Sequence, residues 1–225
     1  MCYLYFLTYR RSNVTKNIRR EDWESLKPTI HGWGVVDVNY NTGVTVTIQG
    51  KSKLVWTCPY YADWRSMIRR CFGNDPSGSC SSYVGCEIFK EWQYLSNFIK
   101  WVDSQPNRDW KNSQLDKDLL GNGKLYSPET CVYISCKINT FMLDSKRSRG
   151  SLLIGVCFHS GASKENPYAS KCSNPFTNKT EYISLFPTEL EAHLAWKAKK
   201  HEHALKLADL QDDPRVAEAL RTRYL

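Results

Sequence analysis

Three short runs, SLLIGVCFHS, NPYASKCSN and KTEYISLF, stand directly before one long helical run, PTELEAHLAWKAKKHEHALKLADL. That order constrains the fold more than any other feature. Short runs of this kind, bounded by turn residues, read as strands. In the run that follows, Thr188 and, three residues on, Glu191 form a capping-box pattern, with Pro187 just before it. Leu190, Leu194, Ala195, Ala198, Leu205 and Ala208 supply the expected buried stripe of this helix. Three strands and one helix are the smallest arrangement in which a sheet hides one face and leaves the other open. Strand alternation then sorts the residues. Val156, Phe158, Tyr168, Ser170 and Cys172 are expected to face the helix, and Cys157, His159, Ala169, Lys171, Ser173, Thr180 and Tyr182 the open side. HEH invites a metal reading, but positions two apart fall on different sides of a helix, so His193, His201 and His203 are read as surface residues. DPRVAEALRTRYL reads as a short terminal helix starting at Asp213 or Pro214.

Upstream, the pattern changes twice. Residues 1–57 read as a β-rich segment: a first strand in MCYLYFLTYRR, a short helix in NIRREDWESL with Arg19 and Arg20 exposed, and a hairpin around Asn41-Thr42-Gly43. Residues 58–145 open with CPYYADWRSMIRRCF, where Tyr61, Trp64, Met67, Ile68 and Cys71 recur at helical spacing. A polar loop, NDPSGSCSSYVGC, leads to a second helical stretch with Trp92, Leu95, Phe98, Ile99 and Val102 as its stripe. KRSRG, from Lys146 to Gly150, is a basic linker into the last region, 146–225. The fold class is α+β.

The stretch QLDKDLLGNGKLYSPETCVYISCKINTF carries the candidate chemistry. Asp116, Lys117 and Asp118 precede a Gly-Asn-Gly turn, and Asn139 stands on the next amphipathic segment. Either this is an ordinary surface turn with Asn139 capping a helix, or it is a metal site built across a hairpin and a helix. A hard cation such as Mg²⁺ takes oxygen ligands, so a carboxylate and an amide suit it better than thiols. The nine cysteines contain no CxxC pair. Convergence of Cys58, Cys71, Cys80 and Cys86 is weighed against a set of small, mostly buried thiols, and the second reading is preferred. A formal charge of +8 favours a polyanionic partner. No apolar run approaches the roughly 20 residues that span a bilayer. The basic residues of MCYLYFLTYRR follow its apolar stretch, the wrong order for a secretory signal, so the expected location is cytoplasmic.

YADWRSMIRRC, GCEIFKEWQYLSNFIKWV and LDKDLLGNGKLYSPETCVYIS together resemble the HNH-type homing endonucleases common in bacteriophages. GVCFH, YASKC and YISLFPTELEAHLAW resemble the AP2-type DNA-binding domain often joined to them. The resemblance covers about Pro59 to Asp209 and implies a ββα core flanked by helices, followed by a three-stranded sheet backed by a helix. It also implies a single Mg²⁺ or Mn²⁺ held by Asp116 and Asn139, with Asp118 assisting through a water. Lys117 falls where the family has its general-base His, and an ordinary lysine is protonated at neutral pH. Thr130 falls where an Asn often orients that base, and Ser184 where the AP2 family often has Gly.

The implied activity is metal-dependent hydrolysis of DNA, with Asp116, Lys117 and Asn139 at the centre. The alternative is a catalytically inactive double-stranded-DNA-binding protein, which the lysine at position 117 favours. Residues expected on the DNA are His159, Lys164, Lys171, Ser173, Lys179 and Tyr182, with Lys146, Arg147 and Arg149 of the linker. No membrane partner is expected. A protein partner through residues 1–57 is a third reading without a motif behind it.

Overall fold

Gln49 and Gly50 both adopt positive φ, 51° and 75°, the pairing that a two-residue type I′ turn requires. They join β1 (Gly43–Ile48) to β2 (Lys51–Thr57) in antiparallel register, Ile48 opposite Lys51. The hairpin is real, but its turn lies past the Asn41-Thr42-Gly43 position expected from composition. Those residues instead lead into the first strand, because Gln49-Gly50 alone supplies the twist that two paired strands need.

The computed structural model describes residues 27–74, 83–106, 109, 111–144, 150–161 and 163–225. The strand expected in MCYLYFLTYRR, the helix with Arg19 and Arg20, Cys2, Cys80 and the linker residues Lys146, Arg147 and Arg149 lie outside them. Among the described residues the chain is α+β, with five α-helices and four small sheets. None of those helices is long and apolar enough to cross a membrane.

The chain divides into two compact units: Met1–Gln105 with Gly123–Thr130, and Pro106–Asn122 with Cys131–Leu225. In the first unit, α1 (Pro59–Phe72) starts with proline in its first turn and buries Trp64, Met67 and Ile68, the expected face. The second helical stretch is not continuous. It resolves into β3 (Glu87–Ile88), a 3₁₀ turn (Lys90–Gln93) and α2 (Leu95–Asp103), while Trp92, Leu95, Phe98 and Val102 still form the buried stripe. The break falls where Asp37 takes over α2's first turn: its carboxylate accepts from Ser96 N at 2.8 Å and from Ser96 Oγ. Trp64 Nε1 donates to the Trp92 carbonyl at 2.6 Å, so the largest buried ring of α1 has its polar atom satisfied.

The second unit begins with β4 (Ser113–Asp116), which pairs antiparallel with β6 (Val132–Ser135). Between them, β5 (Leu125–Tyr126) belongs to the first unit and runs parallel to β3. α3 (Cys136–Met142) follows β6 without a break, and Ser135 caps it by accepting from Ile138 N. Next come β7 (Val156–Phe158), β8 (Tyr168–Ser173) and β9 (Thr180–Phe186), an antiparallel sheet in that order. α4 (Glu189–Ala208) opens with the expected capping box of Thr188 and Glu191. α5 (Pro214–Thr222) starts where expected, and Asp213 caps it.

One apolar core joins these pieces. Leu119, Val132, Ile134, Ile138 and Phe141 pack with Ala204, Leu207 and Ala208 of α4 and Val216, Ala217 and Leu220 of α5. The face that α4 buries is not the leucine stripe. Leu190 and Leu194 are more than half exposed, whereas Ala192, Trp196, Lys200, His203, Ala204, Leu207 and Ala208 are buried. Small alanines let the helix lie close to the sheet, and the two polar groups on this face each have a partner, although the buried His203 Nδ1 has none among the described residues. Lys200 Nζ donates to the Phe141 carbonyl, and His203 Nε2 meets Glu181 Oε2 at 3.1 Å. His203 is therefore an interior residue, contrary to its expected place on the surface.

Candidate functional site

Alternate residues of a strand share a face, so Gln114 and Asp116 of β4 point the same way. α3 lies on that side. Asn139 Nδ2 donates to Gln114 Oε1 at 2.5 Å, which brings the expected helical ligand to the face of β4 that carries the expected carboxylate. The partner that Asn139 touches is Gln114, two residues before Asp116. Sequence reasoning passed over Gln114, although the period of two from Asp116 marks it.

Asp116 is buried, and its Oδ1 accepts the backbone N–H groups of Asp118 at 3.0 Å and Leu119 at 2.8 Å. Burial pushes its carboxyl above the ordinary value, and those two donors pull the other way. The carboxylate thus shapes the turn that sends Leu119 into the core. Lys117 is also buried, with only 5% of its surface exposed, and its Nζ holds Asp118 Oδ1 at 2.6 Å. An ammonium committed to a carboxylate has no lone pair with which to take a proton from water. Thr130 lies in the other unit, where its Oγ1 donates to the Leu125 carbonyl at 2.7 Å and accepts from Ser127 N. It braces its own turn.

The donor types suit a hard cation: Asp116 and Asn139 both offer oxygen, and Asp118 stands two residues from the first. Among the described residues, no group of three or more His, Cys, Asp or Glu side chains has the spacing of a metal site. Cys58, Cys86, Cys131 and Cys172 are buried, and burial raises the Cys58 and Cys172 thiols.

The three-stranded sheet has two unlike faces. Lys171 pairs directly with Tyr182, and Ser173 with Thr180, and all four are exposed. Directly paired residues share a face, so these four form one surface. The pair between them, Cys172 and Glu181, turns to the helix side, where Asn174 Nδ2 donates to Glu181 Oε1 at 2.7 Å. That contact, together with His203, holds the Glu181 carboxyl below its ordinary value. Glu181 is the sole carboxylate in β7, β8 and β9, so no strand residue puts an acid on the open face. His159, Lys164 and Lys179 are exposed in the flanking loops, with Glu165 beside Lys164.

Two expectations for this sheet fail for local reasons. Ala169 is buried beside Ser170, because the register shifts between Ser170 and Lys171 and breaks the alternation. Phe158 is exposed rather than turned to the helix, and its ring packs edge-on against Tyr168 of the neighbouring strand, 6.3 Å between centroids.

No family model, curated protein or solved structure matches this chain.

Proposed function

We propose that the protein binds double-stranded DNA through the open face of the β7–β9 sheet and does not cut it. The observation that carries this reading is the sorting of charge across the sheet. Lys171, Ser173, Thr180 and Tyr182 face solvent together, while the one strand carboxylate is tied down on the helix side. Lys164 and Lys179 flank that surface, and lysines at such places neutralise phosphates with little regard to sequence. The ion pair of buried Lys117 with exposed Asp118 supports the silent form, since the lysine stands at the position from which a base would act. A cytoplasmic location goes with this reading.

A second reading, one-metal hydrolysis of DNA, is favoured by a different observation: the strand, strand, helix order of β4, β6 and α3, with Asn139 brought to the Asp116 face. Asp116 and Asn139 would hold Mg²⁺ or Mn²⁺, with Asp118 contributing through a water. The ion would neutralise charge on the phosphodiester oxygens.

One experiment separates the two. Purified protein and an Asp116→Asn variant are titrated onto a labelled duplex across salt, and both are incubated with supercoiled plasmid and Mg²⁺ or Mn²⁺. We expect both to bind, with affinity falling about 40-fold between about 50 and 200 mM salt if three lysines contact phosphates, and no strand breaks. Metal-dependent relaxation that the variant lacks would establish the nuclease instead. Failure of the wild type to bind at low salt would sink both readings.

A further inference from the structure

We propose that the β1–β2 hairpin of the first unit is a second DNA-contacting element, a two-stranded ribbon that enters the major groove. This rests on the DNA-binding reading above and adds to it a surface that the sheet does not contain.

Every residue from Thr45 to Val55 is exposed, so both faces of the ribbon are in water. A two-stranded hairpin exposed on both faces is marginal, and this one also shows apolar side chains, with Ile48 and Leu54 each 58% exposed. The register divides its side chains. Ile48 lies opposite Lys51 and Val46 opposite Lys53, so these four share one face, while Thr45, Thr47, Ser52 and Leu54 share the other. No aspartate or glutamate occurs from Val38 to Ala62, and the ribbon carries Lys51 and Lys53 unopposed by any acid within it.

These properties fit one partner better than others. Lys51 and Lys53 discourage pairing of β2 with another copy of itself, because like charges would meet edge to edge, while β1 carries no charge. A membrane surface selects a single apolar face with a polar face opposite, and here apolar residues stand on both. The major groove is about 12 Å wide and admits a two-stranded ribbon. Strands of this length extend about 20 Å, enough to follow several base pairs. The chemistry matches the groove floor: lysine ammonium groups reach guanine O6 and N7, and Val46 and Ile48 meet thymine methyls. The face with Val46, Ile48, Lys51 and Lys53 is the one turned to the bases.

The test compares three full-length proteins on one duplex: wild type, a hairpin variant (Lys51→Ala with Lys53→Ala) and a sheet variant (Lys171→Ala with Tyr182→Ala). Binding is read across salt, and guanine N7 protection from dimethyl sulfate reports major-groove contact. The expected result is that the hairpin variant binds more weakly and loses N7 protection, while its salt slope stays near that of the wild type and circular dichroism is unchanged. A control on the opposite face, Thr47→Ala with Ser52→Ala, should bind as wild type does. If the sheet variant weakens binding and the hairpin variant matches wild type, the ribbon proposal is overturned and the sheet reading stands. If the hairpin variant changes only the mass seen by light scattering, the ribbon is a contact between copies and the proposal is again overturned. No binding by wild type overturns the DNA reading itself, and the ribbon proposal with it.

Discussion

The ammonium of Lys200, midway along α4, donates a 2.6 Å hydrogen bond to the carbonyl oxygen of Phe141 near the end of α3 and lies 3.7 Å from the centre of that ring. It thereby ties the helix that carries Asn139 to the helix that backs the sheet. A cation at a helix C-terminus meets the negative end of the helix dipole, and the ring face adds a further attraction.

This contact has a pH signature. Burial pulls Lys200 down to about 8 from an ordinary 10.5, with Cys172 opposing and Arg223 adding to the effect. Between those two values the unfolded chain holds the proton more tightly than the folded one, so this residue makes stability rise as pH rises from about 8 to 10.5. The Cys172 thiol, raised by burial, contributes the opposite slope above its ordinary value of 9.0. The informative quantity is therefore wild type minus Lys200→Met. Urea unfolding across this range should show the difference growing toward alkaline pH at no more than about 1.4 kcal/mol per unit. A flat difference would contradict the buried placement of Lys200.

Asp116 should tolerate one substitution and not another. Asp116→Asn keeps an oxygen where Asp118 N and Leu119 N point, and unfolding should stay within about 1 kcal/mol of wild type. Asp116→Ala leaves two backbone donors of a largely buried turn unsatisfied and should cost about 1–3 kcal/mol. Equal stability of the two variants would show that the carboxylate does not hold the turn.

Gly155 admits no side chain. Its φ is +84°, and an added Cβ would meet the Trp196 ring at 2.0 Å. Gly155→Ala combines left-handed backbone strain of about 1–2 kcal/mol with overpacking of about 1–3 kcal/mol. Thermal unfolding should register a drop in Tm of many degrees, and a wild-type Tm would mean that α4 does not approach the sheet this closely.

Neighbouring residues of β9 should behave oppositely. Tyr182, 55% exposed, can be replaced by alanine with little effect on Tm, and DNA affinity should fall several-fold. Glu181→Ala removes the partner of Asn174 and of the buried His203, so Tm should fall while the open face keeps its chemistry. Calorimetry and duplex titration on the two variants read both effects.

Much of the secondary structure was legible because its causes are local. The capping box of Thr188 and Glu191, the start of α5 and the three strand runs each depend on residues within a few positions of one another. The hairpin turn was missed because a plausible loop composition at Asn41-Thr42-Gly43 drew attention from Gln49, whose positive φ is uncommon for its type.

In the candidate site, the sequence by itself determined which groups are present: an acidic turn with a lysine in it, an amide downstream, and lysines and a tyrosine spaced along short strands. Tertiary structure alone decided what each of them does. Asn139 meets Gln114 across 25 positions and Lys200 meets Phe141 across 59, and those distant partners turned a leucine stripe outward and drew a lysine and a histidine in. The reason is energetic. Burying a polar group costs least where a partner waits, and no local pattern reveals where the fold will place that partner.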